Sequence, residues 1–111
     1  MVEFKKFSQE NSLPVLNKVM TKYGISARKS LGQHFLLDTN LTDRIAKIAK
    51  VENSLVFEIG SGPGGLTRAL MESNAESIMA IEREKRCVMA LQELSEASSG
   101  RLKVIQADAL T

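Results

Sequence analysis

Four glycines and a proline fall within eight residues of this sequence, in the stretch EIGSGPGG from Glu58 to Gly65. Glycine has no Cβ and reaches positive φ without strain, so such a loop lets a ligand approach the backbone closely. Gly60, Gly62 and Gly65 have the spacing G-x-G-x-x-G, which holds a nucleotide when it stands between a strand and a helix. The loop therefore predicts a nucleotide site, provided that its neighbours have those structures.

Acidic residues stand at the ends of three apolar runs: Glu58, Glu82 and Asp108. Glu82 lies 22 residues after Gly60, where the nucleotide pattern has a carboxylate that accepts from the ribose hydroxyls. A carboxylate at Asp108 can accept from the adenine amino group. A row of negative charge repels a pyrophosphate and attracts a cation. We therefore expect S-adenosylmethionine, which carries a sulfonium, an ammonium and no phosphate, in preference to NAD.

The hydrophobic pattern predicts the elements that must position these residues. Short apolar, β-rich runs predict strands at 55–59, 77–82 and 102–106, and helical spacing between them predicts one helix through Leu66–Met71 and another from Arg83 to Ser95. Strand, helix, strand, helix, strand is typical of a parallel sheet with right-handed crossovers. The sequence thus predicts an α/β fold of the Rossmann-like type. Cys87, one turn before Leu91, is expected to be a buried and unreactive thiol.

Two further helices are predicted ahead of the sheet. The first follows a Ser12 cap, carries Pro14 in its first turn and stops at Gly24. The second begins after Asp38 or Thr39, and helical spacing gives it an apolar face. That face comprises Leu41, Ile45, Ile48 and Ala49. Residues 1–11 have no periodicity and are expected to be a frayed terminus.

Composition restricts the class of protein. The apolar fraction of 43% and charged fraction of 25% are those of a folded globular domain. The sequence has no apolar run long enough for a membrane span or a secretory signal. One cysteine and one histidine cannot build a metal site, and the single cysteine favours a cytoplasmic location. Residues 1–50 carry a charge balance of +5 against −3 for residues 51–111, so an anionic partner is expected for the leading segment.

With these residues identified, the sequence resembles the small-subunit ribosomal RNA adenine N6-dimethyltransferases, which depend on S-adenosylmethionine. ARKSLGQHFLLD is similar to the cofactor-entry motif of that family, and FEIGSGPGGLT to its glycine loop. AIERE is similar to the ribose-binding strand end and QADAL to the adenine-binding strand end. The resemblance runs from about residue 12 to residue 111 and implies the N-terminal, cofactor-binding part of a class I methyltransferase domain.

The resemblance also implies roles for individual residues. His34 and Leu36 would lie against the methionyl end of the cofactor, and Arg28 and Lys29 would face ribosomal RNA phosphates. At the loop, Gly60 would lie under the ligand and Gly62 would shape the turn. Glu82 would accept from both ribose hydroxyls and Asp108 from the adenine amine.

The family reaction is methyl transfer to the N6 of two adjacent adenosines of small-subunit rRNA in a pre-ribosomal particle. An Asn-(Leu/Ile)-Pro-(Tyr/Phe) motif after the fourth strand holds the target base there, and these 111 residues do not contain it. Catalytic residues are thus expected beyond Thr111, the chain is expected to be a truncated one, and by itself it is expected to be inactive. Without a fourth strand, the strand at 55–59 would be a sheet edge, so we also expect self-association through that edge.

Three alternatives remain open from the residues alone. The glycine loop is compatible with a fragment of an NAD-type oxidoreductase. The basic leading segment is compatible with an RNA-binding module that has no enzymatic activity. A cofactor-binding half does not identify the methyl acceptor, so a methyltransferase with another substrate is also possible.

Overall fold

A computed structural model describes residues 13–25 and 38–108 of the chain. Its elements in chain order are α1 (Leu16–Lys22), α2 (Thr39–Ala49), β1 (Leu55–Ile59), α3 (Gly65–Glu72), β2 (Ser77–Glu82), α4 (Lys85–Glu96) and β3 (Leu102–Gln106). The strands form a parallel sheet in the order β1-β2-β3. The predicted α/β fold and all three strands are therefore confirmed. The expected frayed terminus and the Ser12 cap lie outside the described residues.

The core lies between the sheet and the two crossover helices. Both crossovers run in the same direction across the sheet, and right-handed connections of this kind place α3 and α4 on one face. Along β2, Ile78 and Ala80 point to that face and are fully buried. Leu91 and Leu94 of α4 are fully buried as well, as the helical spacing predicts.

Cys87 belongs to the same buried stripe of α4. Burial, followed by the negative charge of Glu82, raises the pKa of its thiol to about 12. Because the thiolate is the reactive form, this thiol is unreactive near neutral pH. The prediction of a structural cysteine is confirmed.

Helix α2 corrects one prediction. Asp38 caps it as expected, accepting hydrogen bonds from the amides of Asn40 and Leu41 at 3.0 and 3.3 Å. The predicted apolar face is wrong, since Ile45 and Ile48 are 38% and 78% exposed. The buried residues are Thr42 and Ala46, whose small side chains let α2 approach α3 closely.

Helix α1 docks on α4 through polar contacts. Glu93 accepts hydrogen bonds from Lys22 Nζ at 2.7 Å and from the Tyr23 hydroxyl at 2.5 Å. Arg86 donates to the carbonyl oxygen of Gly24 at 2.8 Å. Gly24 has a φ of +68°, as a helix stop requires. The helix begins at Leu16, later than predicted, because Val15 in extended conformation occupies its N-cap and Pro14 precedes it.

At the end of the sheet away from the glycine loop, hydrogen bonds to backbone carbonyl oxygens hold the strands against α3. The Arg101 guanidinium donates to the carbonyl oxygens of Met71 and Ala75 at 2.9 and 2.5 Å. Asn53 donates its amide to the carbonyl oxygen of Asn74 at 2.9 Å. These bonds connect the start of β3 and the turn before β1 to the end of α3.

The sheet has a free lateral edge at β1. β1 pairs with β2 alone among the described strands, so its other edge is free, as predicted. Within residues 13–25 and 38–108, no helix has the length and hydrophobicity needed to cross a membrane.

Candidate functional site

The glycine loop lies at the carboxyl end of β1, where ligands bind in open α/β sheets. Gly60 and Gly62 have φ values of +73° and +59°, which favour glycine. A Cβ built at either position meets no described atom within 4 Å. The surface above both residues is therefore open to a ligand, as the sequence pattern predicts.

Glu82, at the end of β2, holds the loop in place. Its Oε1 accepts from the amide of Gly62 at 2.8 Å, and its Oε2 accepts from the amide of Glu84 at 2.9 Å. Glu82 is only 8% exposed. A carboxylate has about four acceptor positions, so two stay available for hydroxyl donors of a ligand. The predicted ribose acceptor is thus also the clamp of the glycine loop, a second role that the sequence did not indicate.

Asp108 follows β3 at the same edge of the sheet. Its carboxylate lies 3.5 Å from an Arg83 guanidinium nitrogen, and the amide of Ala107 donates to the carbonyl oxygen of Glu82 at 3.0 Å. The tips of β2 and β3 are therefore adjacent, and the structure brings Glu82, Asp108 and the glycine loop together. Because an exposed ion pair of this kind is weak, Arg83 does not prevent Asp108 from accepting from a ligand.

Glu58 departs from the sequence-based prediction. It was expected to line the crevice, but it is a buried residue whose Oε1 accepts from the Thr67 hydroxyl at 2.5 Å. Side chains alternate along a strand, so Glu58 points with Val56 towards α3 rather than towards the ligand edge. Thr67, fully buried in α3, is the residue that the sequence reasoning missed, and its position two residues after Gly65 was the available signal.

The Glu58 carboxyl has a raised pKa, first because burial disfavours its charged form and also because Glu82 is close. Hydrogen bonds from Thr67 and Ser61 oppose this shift. A carboxyl with a raised pKa stabilises the fold fully below its ordinary value of 4.5, and that stability is lost as the pH rises through the folded-state pKa.

We therefore expect Glu58→Gln to change the pH dependence of stability. Glutamine keeps an acceptor for Thr67 and carries no charge to desolvate. The variant should match the native chain near pH 4 and become progressively more stable than it as the pH rises to 7.5. Urea unfolding at a series of pH values measures this. A native chain that gains stability relative to the variant over that range would contradict the assignment.

Gly64, which lies outside the G-x-G-x-x-G spacing, is the glycine of the loop that approaches other side chains most closely among those described. Gly64 has a φ of +106°, and a Cβ there would lie 3.3 Å from Leu91 Cδ2 and from Leu94 Cδ2. Gly65 is the first residue of α3. Helix–helix packing between α3 and α4 is the physical reason for the extra glycine.

Four predicted site residues lie outside the described residues: Arg28, Lys29, His34 and Leu36. No group of side chains suited to a metal ion occurs within residues 13–25 and 38–108.

Comparison with known proteins identifies the sequence family. Residues 24–111 match the family described as ribosomal RNA adenine dimethylase. The chain belongs to this family. A relative from Xanthobacter autotrophicus, named ribosomal RNA small subunit methyltransferase A, is 54% identical over 101 residues, which are 90% of this chain and 35% of the relative. The protein of the same name from Allorhizobium ampelinum is 50% identical, with 90% and 37% covered. The chain thus spans little more than a third of the length of these relatives.

Solved structures agree with the dimethylase assignment. A dimethyladenosine transferase from Plasmodium falciparum has a TM-score of 0.60 and 29% identity, over 70% of this chain and 29% of that one. An RNA methyltransferase structure from Pyrococcus horikoshii has a TM-score of 0.56 at 16% identity, over 84% and 50% of the chains, and supports the fold alone. Both describe the Rossmann-like methyltransferase fold, of which the described residues form a part.

Proposed function

We propose that this chain is the cofactor-binding part of an enzyme that uses S-adenosylmethionine to dimethylate N6 of two adjacent adenosines in small-subunit rRNA. The observation that carries the proposal is the Glu82 clamp beneath the open surface of Gly60 and Gly62. The Glu82 carboxylate keeps acceptor positions for ribose hydroxyls, and the loop beside it has room for a nucleoside. Membership of the dimethylase family supports rRNA adenosine as the methyl acceptor, which the glycine loop alone does not identify.

The electrostatics of the site support a cationic nucleoside over a dinucleotide. The carboxylate of Glu82 lies directly at the glycine loop, where it accepts from the amides of Gly62 and Glu84. Asp108 adds a second carboxylate at the same edge. These charges oppose a pyrophosphate and attract the sulfonium and ammonium groups of S-adenosylmethionine.

We propose a contact for each part of the cofactor. We propose that Glu82 accepts from the ribose hydroxyls and Asp108 from the adenine amine, while Gly60 and Gly62 lie against the nucleoside. His34 and Leu36 are proposed contacts of the methionyl end, on the resemblance of their motif. When bound, the cofactor would supply an electrophilic methyl group. The chain's own contribution is to fix the orientation of that group, because in-line placement lowers the barrier for a weakly nucleophilic amine.

Titration calorimetry with S-adenosylmethionine and NAD tests the cofactor assignment. We expect the former to bind at least about tenfold more tightly, a difference of about 1.4 kcal/mol. S-adenosylhomocysteine, which lacks the sulfonium charge, serves as the matched ligand control and should bind more weakly than the methyl donor if Coulomb attraction contributes. Preferential binding of NAD would overturn the proposal and favour an oxidoreductase fragment.

The RNA partner is part of the same proposal. We propose that Arg28 and Lys29 contact phosphates of small-subunit rRNA within a pre-ribosomal particle, because the leading segment carries the positive charge of the chain. A cytoplasmic location accords with this partner.

The chain itself should transfer no methyl groups, since the motif that holds the target base is absent from its sequence. We also propose self-association of the 111-residue chain through the edge of β1, which pairs with no second strand among the described residues.

A further inference from the structure

Three polar side chains are buried at the glycine loop: Glu58 of β1, Ser61 of the loop and Thr67 of α3. They are called the buried polar cluster below. Thr67 and Ser61 are 0% and 1% exposed, and Glu58 is 9% exposed. Burial of a polar group is costly unless the group is hydrogen-bonded, so each member needs a partner within the protein.

The hydrogen bonds of the buried polar cluster join the two ends of the loop. The Thr67 hydroxyl donates to Glu58 Oε1 at 2.5 Å, which connects the end of β1 to the first turn of α3. Between these ends, the Ser61 hydroxyl donates to the carbonyl oxygen of Glu58 at 3.2 Å. The amide of Gly64 in turn donates to the carbonyl oxygen of Ser61 at 3.3 Å. The loop is therefore held at both ends by the cluster, in addition to its middle, where Glu82 accepts from Gly62.

The direction of the Thr67 hydroxyl shows that its bond is more than a local helix contact. A threonine inside a helix commonly donates to a backbone carbonyl oxygen three or four residues earlier. Thr42, which is buried in α2, does so and donates to the carbonyl oxygen of Thr39 at 3.2 Å. Thr67 is equally buried, yet it donates to the side chain of Glu58 in another element. Its hydroxyl therefore serves the connection between β1 and α3.

We propose that Thr67 is a positioning residue for cofactor binding, because its bond to Glu58 fixes the glycine loop relative to the ribose acceptor Glu82. Thr67 is fully buried, so it acts through the loop and not by touching the ligand. A loop that is already ordered binds more tightly, since less conformational freedom is lost on binding. The inference rests on the proposed function for the identity of the ligand, S-adenosylmethionine.

Amide hydrogen exchange without ligand tests whether Thr67 holds the loop. The amides of Gly60 and Gly62 are both hydrogen-bonded, so their exchange rates report opening of the loop. The hydrogen-bonded amide of Ile78, at the far end of β2, reports opening of the sheet. Valine at position 67 keeps the shape of threonine and leaves a buried acceptor without this donor. We expect Thr67→Val to speed exchange of the loop amides at least about tenfold more than that of Ile78.

Two variants separate positioning from a general loss of stability. Thr67→Ser keeps the hydroxyl and should restore slow exchange of the loop amides. Thr42→Val, the matched control, removes a buried hydroxyl in α2, outside the loop. It should change exchange of the loop and sheet amides by the same factor. Equal acceleration of loop and sheet in Thr67→Val, or the same result for Thr67→Ser as for Thr67→Val, would overturn the inference.

Glu58 provides an equivalent comparison if Thr67→Val does not fold. Aspartate is one methylene shorter and cannot reach the Thr67 hydroxyl, so Glu58→Asp should speed exchange of the loop amides. Glu58→Gln keeps the reach and an acceptor oxygen, so it should leave that exchange slow. Equal rates in these two variants would likewise overturn the inference.

Calorimetric titration with S-adenosylmethionine tests the consequence for binding. We expect Thr67→Val to weaken binding at least about tenfold, as loss of a donor to a buried acceptor in the support of the loop predicts. Thr67→Ser and Thr42→Val should bind with nearly native affinity. Native affinity in Thr67→Val would overturn the inference. A native chain that does not bind S-adenosylmethionine would instead contradict the proposed function, while the exchange rates, measured without ligand, still decide whether Thr67 holds the loop.

Discussion

Replacing Gly64 by alanine should destabilise the chain by about 2–6 kcal/mol, through backbone strain and overpacking that each cost about 1–3 kcal/mol. The φ of +106° is unfavourable for any residue with a Cβ, and that Cβ would lie 3.3 Å from methyl carbons of both Leu91 and Leu94. Both leucines are fully buried and cannot move aside without displacing the core. Urea unfolding at a fixed protein concentration measures the loss.

Gly100 provides the matched control for Gly64. It also has a positive φ, +85°, but a Cβ there meets no described atom within 4 Å. Gly100→Ala should therefore show the strain contribution without the packing contribution. Equal losses for the two variants would contradict the assigned contact between the start of α3 and α4.

Replacing Glu82 by alanine should weaken binding of S-adenosylmethionine at least about 100-fold, or about 2.7 kcal/mol. The change removes acceptors from the amides of Gly62 and Glu84, and hydrogen bonds to a charged group contribute about 1.5–3 kcal/mol each. It also removes the proposed ribose acceptor. Glu82→Gln should have an intermediate effect, because one acceptor oxygen is retained while its NH₂ group faces an amide donor. Calorimetric titration measures both.

A cofactor analogue without ribose hydroxyls separates the two roles of Glu82. If ribose contacts dominate, this analogue should bind the native chain and Glu82→Ala with similar affinity. If the loop clamp dominates, Glu82→Ala should weaken both ligands. Glu96→Gln, an exposed charge change at the end of α4, should alter neither affinity. Binding of the methyl donor to Glu82→Ala at native affinity would contradict the proposed site.

The sheet and its glycine loop could be predicted because short-range patterns specify them. Each strand is a short apolar run, and the positive φ values of Gly60 and Gly62 follow from their place between a strand and a helix. Glu82 and Asp108 were predicted to meet because parallel strands place their carboxyl ends at one edge, and the structure brings those ends together.

Other features depend on contacts between distant parts of the chain. The face that α2 buries was predicted from its own hydrophobic spacing, yet its packing against α3 selects Thr42 and Ala46. The orientation of Glu58 depends on which face of the sheet α3 covers, and its bond to Thr67 depends on how that helix sits. The role of Gly64 depends on two leucines almost thirty residues away in sequence. Periodicity within one element does not determine such contacts.

The Arg101 contacts have a consequence for how this architecture diversifies. They fasten the strands and α3 at the end remote from the ligand, through carbonyl oxygens that every residue type provides. Loops at the other end can then vary in sequence or length without weakening the contacts that hold the strands and α3 together. Substitutions at the glycine-loop end of the sheet should therefore leave the relative positions of the strands and α3 unchanged.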